Sequence, residues 1–251
     1  MLTTILQIEE LTHTFANGVT AVKAVNLQLG KGEFVVLAGP NGSGKTVLIK
    51  HFNGLLQPTK GRVLLAGEPI TKNLLLARQK IGLIFQDADS QIVGQTVTED
   101  VAFGPENLCL PREEIRERVD RALQAVGLSE LGHVRPHTLS GGQKRRLAVA
   151  GILAMAPQII VFDEPFTGLD YPGVIQVLKQ IVDLHQRGHT ILVVTHDLEK
   201  VLAHADRLLI MNEGRIVRDG KPEAIIDEVE RFGIKKPYGK GRRVETMTWL
   251  T

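Results

Sequence analysis

One stretch of eight residues constrains this chain more than any other. Residues 39–46 read Gly-Pro-Asn-Gly-Ser-Gly-Lys-Thr and fit the phosphate-binding pattern G-x-x-x-x-G-K-[ST]. An apolar run rich in β-branched residues precedes it at 33–38, and the residues after it, 47–52, contain no helix breaker. Strand, glycine-rich turn and helix in this order form the context that the motif requires. The sequence therefore predicts a strand–loop–helix unit that holds a polyphosphate.

The residue types of this phosphate loop (residues 39–46) explain its chemistry. Glycine tolerates backbone conformations that a Cβ would forbid, so successive N–H groups can point at phosphate oxygens near the positive end of a helix. Lys45 supplies a mobile cation for the β- and γ-phosphates, and Thr46 offers a hydroxyl to Mg²⁺. The predicted nucleotide-binding residues here are Gly39, Pro40, Asn41, Gly42, Ser43, Gly44, Lys45, Thr46 and Val47.

A second motif is a strand that ends in two carboxylates. Residues 159–162 are all apolar, as expected for a strand buried on both faces of a parallel sheet, and Asp163 and Glu164 follow. Adjacent residues of a strand point in opposite directions, so the two carboxylates can take different roles. We predict that Asp163 is a Mg²⁺ ligand and that Glu164 polarises a water molecule aimed at the γ-phosphate.

Two further predicted strands end in polar side chains. The strand at 80–85 is followed by Gln86, which could reach Mg²⁺ or an attacking water. The strand at 190–195 is followed by His196, which could sense a γ-phosphate, although a lone histidine is more often structural. The predicted catalytic residues are therefore Glu164, His196, Lys45 and Gln86, and the predicted metal ligands are Thr46, Gln86 and Asp163.

Composition limits the classes of protein that remain. A length of 251 residues allows one large domain, or one domain with a subdomain. No apolar run approaches the roughly 20 residues of a membrane span, and we expect no secretory signal at the N-terminus. The single cysteine, Cys109, excludes an internal disulfide and fits a reducing cytosol. A net charge of +2 and few aromatic residues argue against a nucleic-acid partner.

The order of the predicted elements indicates an α/β fold. Strand patterns occupy residues 5–38, and further strands are predicted at 62–67 and in a ribbon at 207–217. Between the β-rich parts lies a helical insert, residues 96–156, in which Thr98 is the expected cap of the first helix. We therefore predict a separate helical subdomain.

A short glycine-containing run, Leu139–Gln143, lies between the two phosphate-site motifs and is called the signature loop below. Its glycines clear space at the start of a long helix that is expected to end near Ala156. Ser140 and the first helical N–H groups can bind an anion, helped by the helix dipole. The predicted nucleotide-binding residues here are Ser140, Gly141, Gly142 and Gln143.

This ordered set of motifs resembles the ATP-binding subunit of ATP-binding cassette (ABC) transporters over roughly residues 3–232. The most specific element is the signature loop in its position after the phosphate loop and before the strand that ends in Asp163. In the family pattern, Phe15 matches the aromatic residue that stacks on adenine. Gly168–Asp170 match a loop at a dimer interface.

The resemblance implies a P-loop NTPase sheet core with an antiparallel β subdomain and a helical subdomain that carries the signature loop. The ATPase domain would span residues 1–232, with the helical subdomain at about 96–156. Residues 233–251 would form a C-terminal tail, which we expect to be solvated or mobile. The implied ligands are ATP and Mg²⁺. In the implied head-to-tail dimer, Ser140 and Gly142 clamp the nucleotide of a second ABC ATPase subunit.

Two finer segments, residues 85–93 and 100–108, resemble the energy-coupling factor and cobalt/nickel importer ATPases. This resemblance implies a homo- or heterodimer of ATPases beneath a transmembrane coupling subunit. A separate membrane protein would capture a vitamin or a transition-metal ion. The expected location is the cytoplasmic face of the cell membrane, as a peripheral subunit.

Three other readings remain open from the sequence. A soluble ABC ATPase that acts on nucleic acid or ribosomes would usually need a coiled-coil insertion or a second cassette, and neither is present. A small-molecule or nucleoside kinase would share the phosphate loop but has no use for the signature loop. An exporter ATPase shares all the core motifs, so the import direction depends on the two finer segments.

Overall fold

The computed structural model describes residues 3–237 and 243–250, and its strands form two sheets. The strands are β1 (Thr4–Thr14), β2 (Thr20–Gly30), β3 (Phe34–Ala38), β4 (Lys60–Leu65), β5 (Glu68–Pro69), β6 (Ile81–Ile84), β7 (Ile159–Asp163), β8 (Thr190–Val194), β9 (Arg207–Asn212) and β10 (Arg215–Gly220). One sheet is antiparallel, with the order β2-β1-β4-β5, and the other has the order β10-β9-β3-β8-β7-β6. In the second sheet only β10 runs antiparallel to its neighbour.

The helices follow the strands in a βα order that allows parallel pairing. They are α1 (Lys45–Lys50), α2 (Leu74–Lys80), α3 (Val97–Asn107), α4 (Arg112–Ala125), α5 (Gly141–Ala154), α6 (Tyr171–Gln186) and α7 (Pro222–Ile225). The parallel-rich sheet, the antiparallel sheet and the helices confirm the predicted α/β fold class. No helix within the described ranges is both long enough and apolar enough to span a lipid bilayer.

The parallel sheet is buried on both faces, as the apolar runs of its strands predict. Along β3, Phe34 and Val36 face a core that includes residues of α3 to α6, whereas Val35 and Leu37 face a second core. The second core includes α1 and the apolar face of the antiparallel sheet. The parallel strands therefore lie between two apolar layers, which fixes the position of their ends.

The register of the central strands brings the carboxyl ends of β3, β7 and β8 to one edge of the sheet. Leu37 of β3 pairs with Val194 of β8, and Val194 also pairs with Asp163 of β7. Glu164 and Thr195 directly follow Asp163 and Val194, and the phosphate loop begins two residues after Leu37. Because ligands of open α/β sheets bind beyond the carboxyl ends of the strands, we expect the ligand site at this edge.

The helical insert between β6 and β7 contains α3, α4 and α5, which pack against one another. The helix α3 is capped by Thr96 rather than by Thr98, so that expectation is wrong by two residues. Thr96 Oγ1 accepts a hydrogen bond from Glu99 N, and the Glu99 side chain accepts one from Thr96 N. This reciprocal capping box explains why the helix begins after Thr96. Glu99 stands three residues after Thr96, as the capping box requires, and cannot form that box with Thr98.

The C-terminal segment is packed rather than solvated where the structure describes it, so the expectation of a solvated or mobile tail is wrong there. Ile234, Val244 and Met247 are buried in the same core as the helical insert. Ala203 N donates a hydrogen bond to Met247 O, and Lys200 Nζ lies 4.8 Å from the centre of the Trp249 ring. The expected domain boundary after residue 232 stays a prediction.

Candidate active site

A cavity of about 550 Å³ lies beyond the carboxyl ends of β3 and β7. It brings together residues that are far apart in the sequence. Among the predicted site residues, the cavity is lined by Phe15, Asn41, Gly42, Ser43, Gly44, Lys45, Thr46, Val47, Gln86, Asp163 and Glu164. The sequence-predicted nucleotide and metal residues thus meet in one place, apart from Gly39, Pro40 and those of the signature loop.

The phosphate loop has the tight backbone that its glycines predict. Gly44 has a φ of 103°, in the left-handed region, and directly precedes α1. A Cβ on Gly44 would lie 2.4 Å from Ala21 O, and a Cβ on Gly39 would lie 2.1 Å from Met211 O. Larger residues would therefore push the loop away from its neighbours. The Ser43 hydroxyl is buried without a hydrogen-bond partner in the described structure, which suits an anion acceptor such as phosphate.

Lys45 is buried, and its side chain curls back over the loop that carries it. Its Nζ donates hydrogen bonds to Gly39 O at 2.7 Å and to Pro40 O at 2.9 Å. Burial lowers the pKa of Lys45, and the nearby Glu164 and Asp163 carboxylates oppose that shift. The ammonium group is therefore held beside the cavity by weak acceptors, which phosphate oxygens can replace with stronger charge-assisted bonds.

Asp163 and Thr46 form the metal-compatible part of the cavity. Thr46 Oγ1 donates a hydrogen bond to Asp163 Oδ2 at 2.9 Å, and Asp163 Oδ1 is buried without a partner in the described structure. Burial raises the pKa of Asp163, and the Glu164 carboxylate adds to the rise while the Thr46 hydrogen bond opposes it. A hydroxyl and an orphaned carboxylate oxygen are hard ligands that fit Mg²⁺, which commonly takes few protein ligands besides substrate phosphates.

Glu164 is positioned by its backbone and by two neighbouring side chains. Its φ of 50° is left-handed, which is uncommon for a non-glycine residue, and its N–H donates to Val194 O. His196 Nδ1 lies 2.9 Å from Glu164 Oε1, and Thr195 Oγ1 donates to Glu164 Oε2 at 3.4 Å. The Glu164 side chain is 12% exposed and that of His196 is 57% exposed. This arrangement holds the Glu164 carboxylate at the cavity wall, and His196 contacts that carboxylate without lining the cavity itself.

The signature loop lies apart from this cavity. It lines a second cavity of about 540 Å³ together with Gly168, Leu169 and Asp170, and the two cavities share no lining residue. Ser140 caps α5 through a reciprocal pair of hydrogen bonds with Gln143. Within one chain, the structure therefore does not bring Ser140, Gly141, Gly142 and Gln143 to the phosphate loop.

Phe15 and Gln86 both line the phosphate-loop cavity. The Phe15 ring is 40% exposed and lies edge-on to His13, with 4.8 Å between the ring centres. An exposed aromatic residue that lines a cavity offers a face to a planar ring. Gln86 is exposed and directly follows Phe85, so its amide is free to turn toward the cavity.

Some lining residues could not be found by motif. Ala21 and Lys23 come from β2, and Glu213 and Gly214 come from the turn between β9 and β10. The turn is fastened to the phosphate loop because Gly214 N donates to Ser43 O at 3.0 Å. The asparagine-glutamate-glycine turn was visible in the sequence, but its contact with a loop about 170 residues away was not.

Comparison with known families supports what this geometry indicates. The sequence profile of the ABC transporter family matches residues 22–167. The energy-coupling factor transporter ATP-binding protein of Methanocaldococcus jannaschii is 47% identical over 229 residues, which cover 90% of this chain and 82% of that protein. The corresponding protein of Methanococcus maripaludis is 44% identical over the same shares of the two chains.

Solved structures agree with these relatives. The cbiO1 protein of Clostridium perfringens, part of the ABC transporter complex cbiONQ, superposes with a TM-score of 0.81 at 40% identity, covering 91% of this chain and 92% of that one. A dimeric ABC transporter cassette in a post-hydrolysis state with ADP and phosphate gives a TM-score of 0.77 at 31% identity, covering 86% and 98%. The chain therefore belongs to the ABC transporter family and, within it, to the ATP-hydrolysing subunits of energy-coupling factor transporters.

Proposed function

We propose that the phosphate-loop cavity binds ATP and that Glu164 orients the water that attacks the γ-phosphate. The observation that carries this proposal is the joint placement of Glu164, Lys45 and Asp163 around one cavity. Lys45 holds the β- and γ-phosphates, and His196 keeps the Glu164 carboxylate turned toward the γ-phosphate position. Phosphoryl transfer of this kind depends mostly on positioning and electrostatics, which these contacts supply.

We propose that Thr46, Asp163 and Gln86 hold Mg²⁺ when ATP is bound. The orphaned Asp163 Oδ1 and the adjacent Thr46 hydroxyl support this assignment. When bound, the ion neutralises charge on the β- and γ-phosphates. Gln86 reaches the same cavity from the loop after β6, so its amide oxygen can complete the ligand set.

We propose that the working unit is a head-to-tail dimer in which the signature loop of each subunit covers the nucleotide of the other. Two observations support it. The signature loop lines a cavity of its own, beside Gly168–Asp170, and cannot complete the phosphate-loop cavity of its own chain. A structurally similar ABC transporter cassette is dimeric. In such a dimer, ATP supplies charge that both subunits bind, so closure depends on nucleotide occupancy.

We propose that ATP-driven closure powers import through a transmembrane coupling subunit, with this chain as a peripheral subunit on the cytoplasmic face. The partners would be a second ABC ATPase subunit, the coupling subunit and a membrane protein that captures the solute. The energy-coupling factor relatives and the cbiO1 structure support this assembly. The proposed solute class is a vitamin or a transition-metal ion such as cobalt or nickel, and no nucleic acid takes part.

Co-purification tests the transporter assignment. The tagged full chain, extracted with mild detergent from its native host, should bring down at least one polytopic membrane protein in stoichiometric amount. ATP hydrolysis by the complex should respond to that partner. Recovery of the chain with ribosomes or DNA instead, and without any membrane protein, would contradict the proposal.

Phe15 provides the first quantitative prediction. Stacking of a base on an aromatic ring is worth about 1–3 kcal/mol, so Phe15→Ala should weaken ATP binding by roughly 5- to 150-fold. The maximal rate of hydrolysis should change little, because the ring would contact the base rather than the reacting phosphate. Phe15→Tyr serves as the matched control and should bind ATP as the unchanged protein does. Binding is measured by titration with a fluorescent ATP analogue, and equal affinities of Phe15→Ala and Phe15→Tyr would remove Phe15 from the site.

Asp163 provides a second prediction, in which binding and stability move in opposite directions. Asp163→Asn should lower the affinity for Mg²⁺ in the presence of ATP by more than about tenfold, because an ionised ligand is lost. The nucleotide-free variant should melt at the same or a higher temperature, because a buried charge is removed. Differential scanning calorimetry with and without Mg-ATP checks both effects. A lower melting temperature of the nucleotide-free variant would mean that Asp163 is mainly structural.

The same carboxyl gives a pH dependence. Burial raises the pKa of Asp163, so its ionised form should disappear, and Mg²⁺ binding weaken, at a higher pH than for an exposed aspartate. In the metal-free protein, the raised pKa contributes stability that is present at low pH and is lost as the pH rises through the folded-state pKa. Mg²⁺ titrations in the presence of ATP at decreasing pH measure the first effect.

A further inference from the structure

Arg145 is a buried cation that neither the phosphate-loop cavity nor the signature-loop cavity uses. It lies on the first turns of α5, five residues after Ser140, and only 7% of it is exposed. Burial lowers the pKa of Arg145, and no carboxylate forms an ion pair with it among the described residues. A buried guanidinium without a counter-ion is costly unless hydrogen bonds satisfy it, so its contacts carry information.

Those contacts are backbone carbonyls of two separate segments. The Nη2 group donates to Gln86 O at 3.0 Å and to Thr167 O at 3.2 Å. The Nη1 group donates to Pro165 O and to Thr167 O. Gln86 belongs to the loop after β6, whereas Pro165 and Thr167 belong to the loop after β7. One side chain therefore ties α5 to both loops that carry the predicted metal and water-orienting residues.

The hydrogen bonds of Arg145 join two parts of the chain that serve different nucleotides in the proposed dimer. Pro165 directly follows Glu164, so one end is fixed to the chain's own cavity. The other end is α5, whose N-terminus presents Ser140 to the partner's nucleotide. The guanidinium is planar and presents five donors in a rigid fork, so its grip on the carbonyls fixes the direction of α5 as well as its distance.

We propose that Arg145 is a positioning residue that couples the two shared ATP sites, by holding the signature loop of each subunit in register with its own Gln86 and Glu164. The inference rests on the proposed head-to-tail dimer. It deepens that proposal, because it names the side chain through which the state of one site is transmitted to the other. The role of Arg145 is to hold these backbone carbonyls in place, not to contact ATP or the attacking water.

Two variants test separately the donor geometry and the charge of the Arg145 guanidinium. Arg145→Lys keeps the charge but offers one ammonium group in place of the fork. Arg145→Gln keeps two N–H donors and removes the buried charge, so it should fold even if the lysine variant does not. Folding of each is checked by circular dichroism and by the melting temperature, and all measurements are made well below that temperature.

Three readings are taken on the full chain. The first is ATP affinity of the dilute monomer, which reports on the phosphate loop alone and should change by less than about threefold. The second is the dissociation constant of the dimer with saturating ATP, measured in a Glu164→Gln background by analytical ultracentrifugation, which should rise at least tenfold. The third is the maximal rate of hydrolysis with Glu164 intact, which should fall at least tenfold even at saturating subunit concentration.

A bridging role requires the second and third readings to change together. A purely structural role would leave both unchanged in the folded variants. If the hydrolysis rate recovered fully at high subunit concentration, Arg145 would act only on the signature loop. If the dissociation constant of the dimer were unchanged, Arg145 would act only on the phosphate-loop cavity of its own chain. Any of these three results overturns the proposal.

Arg118, on α4, offers a matched control because it also hydrogen-bonds to α5. Its Nη1 donates to Ala154 O at the far end of α5, and its guanidinium is paired with Glu114. Arg118→Lys should leave all three readings unchanged. Failure of the proposed dimer itself is distinguishable, because the Glu164→Gln protein with Arg145 intact would then form no ATP-dependent dimer.

Discussion

Replacement of Glu164 by glutamine should stop ATP hydrolysis while ATP binding persists. A positioned general base contributes about 10²- to 10⁴-fold to a rate, so the maximal rate should fall by a factor in that range. The amide keeps the size of the side chain and can still contact His196, so the cavity should keep its shape. ATP should therefore be bound but not consumed, and the subunits should accumulate as a closed dimer. Steady-state hydrolysis and size-exclusion chromatography with Mg-ATP measure the two effects.

A control for this prediction comes from an exposed glutamate on another element. Glu117 lies on α4 with a side chain that is 66% exposed, and Glu117→Gln should hydrolyse ATP at the unchanged rate. If Glu164→Gln hydrolysed ATP as fast as Glu117→Gln, Glu164 would not orient the attacking water. The left-handed backbone at Glu164 would then need another explanation.

Replacement of Lys45 by alanine should remove ATP binding rather than slow the reaction. Hydrogen bonds to charged groups contribute about 1.5–3 kcal/mol each, so losing the cation between two phosphates should weaken binding on the order of several hundredfold. The fold should tolerate the change, because Lys45 is a desolvated cation whose hydrogen bonds go to two carbonyls of its own loop. The melting temperature without ATP should stay the same or rise, and the increase produced by Mg-ATP should vanish.

Lys50, at the other end of α1, provides the comparison for Lys45. Its Nζ lies 5.9 Å from the centre of the Phe85 ring, and it does not line the phosphate-loop cavity. Lys50→Ala should keep most of the stabilisation by Mg-ATP. An equal loss in both variants would show that ATP senses the general charge of α1 rather than the Lys45 ammonium group.

The sequence predicted the central sheet and the phosphate-loop cavity well, for a physical reason. Strands buried on both faces are continuous apolar runs, and the glycine-rich loop after β3 and the polar residues at the ends of β7 and β8 stand out against them. Parallel pairing then places those ends at one edge, so Asp163, Glu164 and the phosphate loop could be expected to meet. The ribbon of β9 and β10 was equally visible, because its turn residues interrupt two apolar runs.

Other features depend on contacts that no local pattern carries. The attachment of Gly214 to Ser43, the packing of the C-terminal segment and the carbonyl contacts of Arg145 all join residues that are distant in the sequence. Arg145 reads as one of three consecutive basic residues, and only the fold shows that it is buried. The cap of α3 was misplaced because Thr96 and Thr98 both resemble caps, and the reciprocal bond with Glu99 decides between them.

The most direct test of the shared nucleotide site mixes two inactive variants. Lys45→Ala lacks a working phosphate loop, and Ser140→Arg lacks a working signature loop. In a mixed head-to-tail dimer, one cavity carries both lesions and the other carries neither. We expect the mixture, in a Glu164→Gln background, to form an ATP-dependent dimer that holds one ATP, whereas neither variant does so alone. A mixture that forms no such dimer, under conditions in which the Glu164→Gln protein does, would contradict a site shared between two subunits.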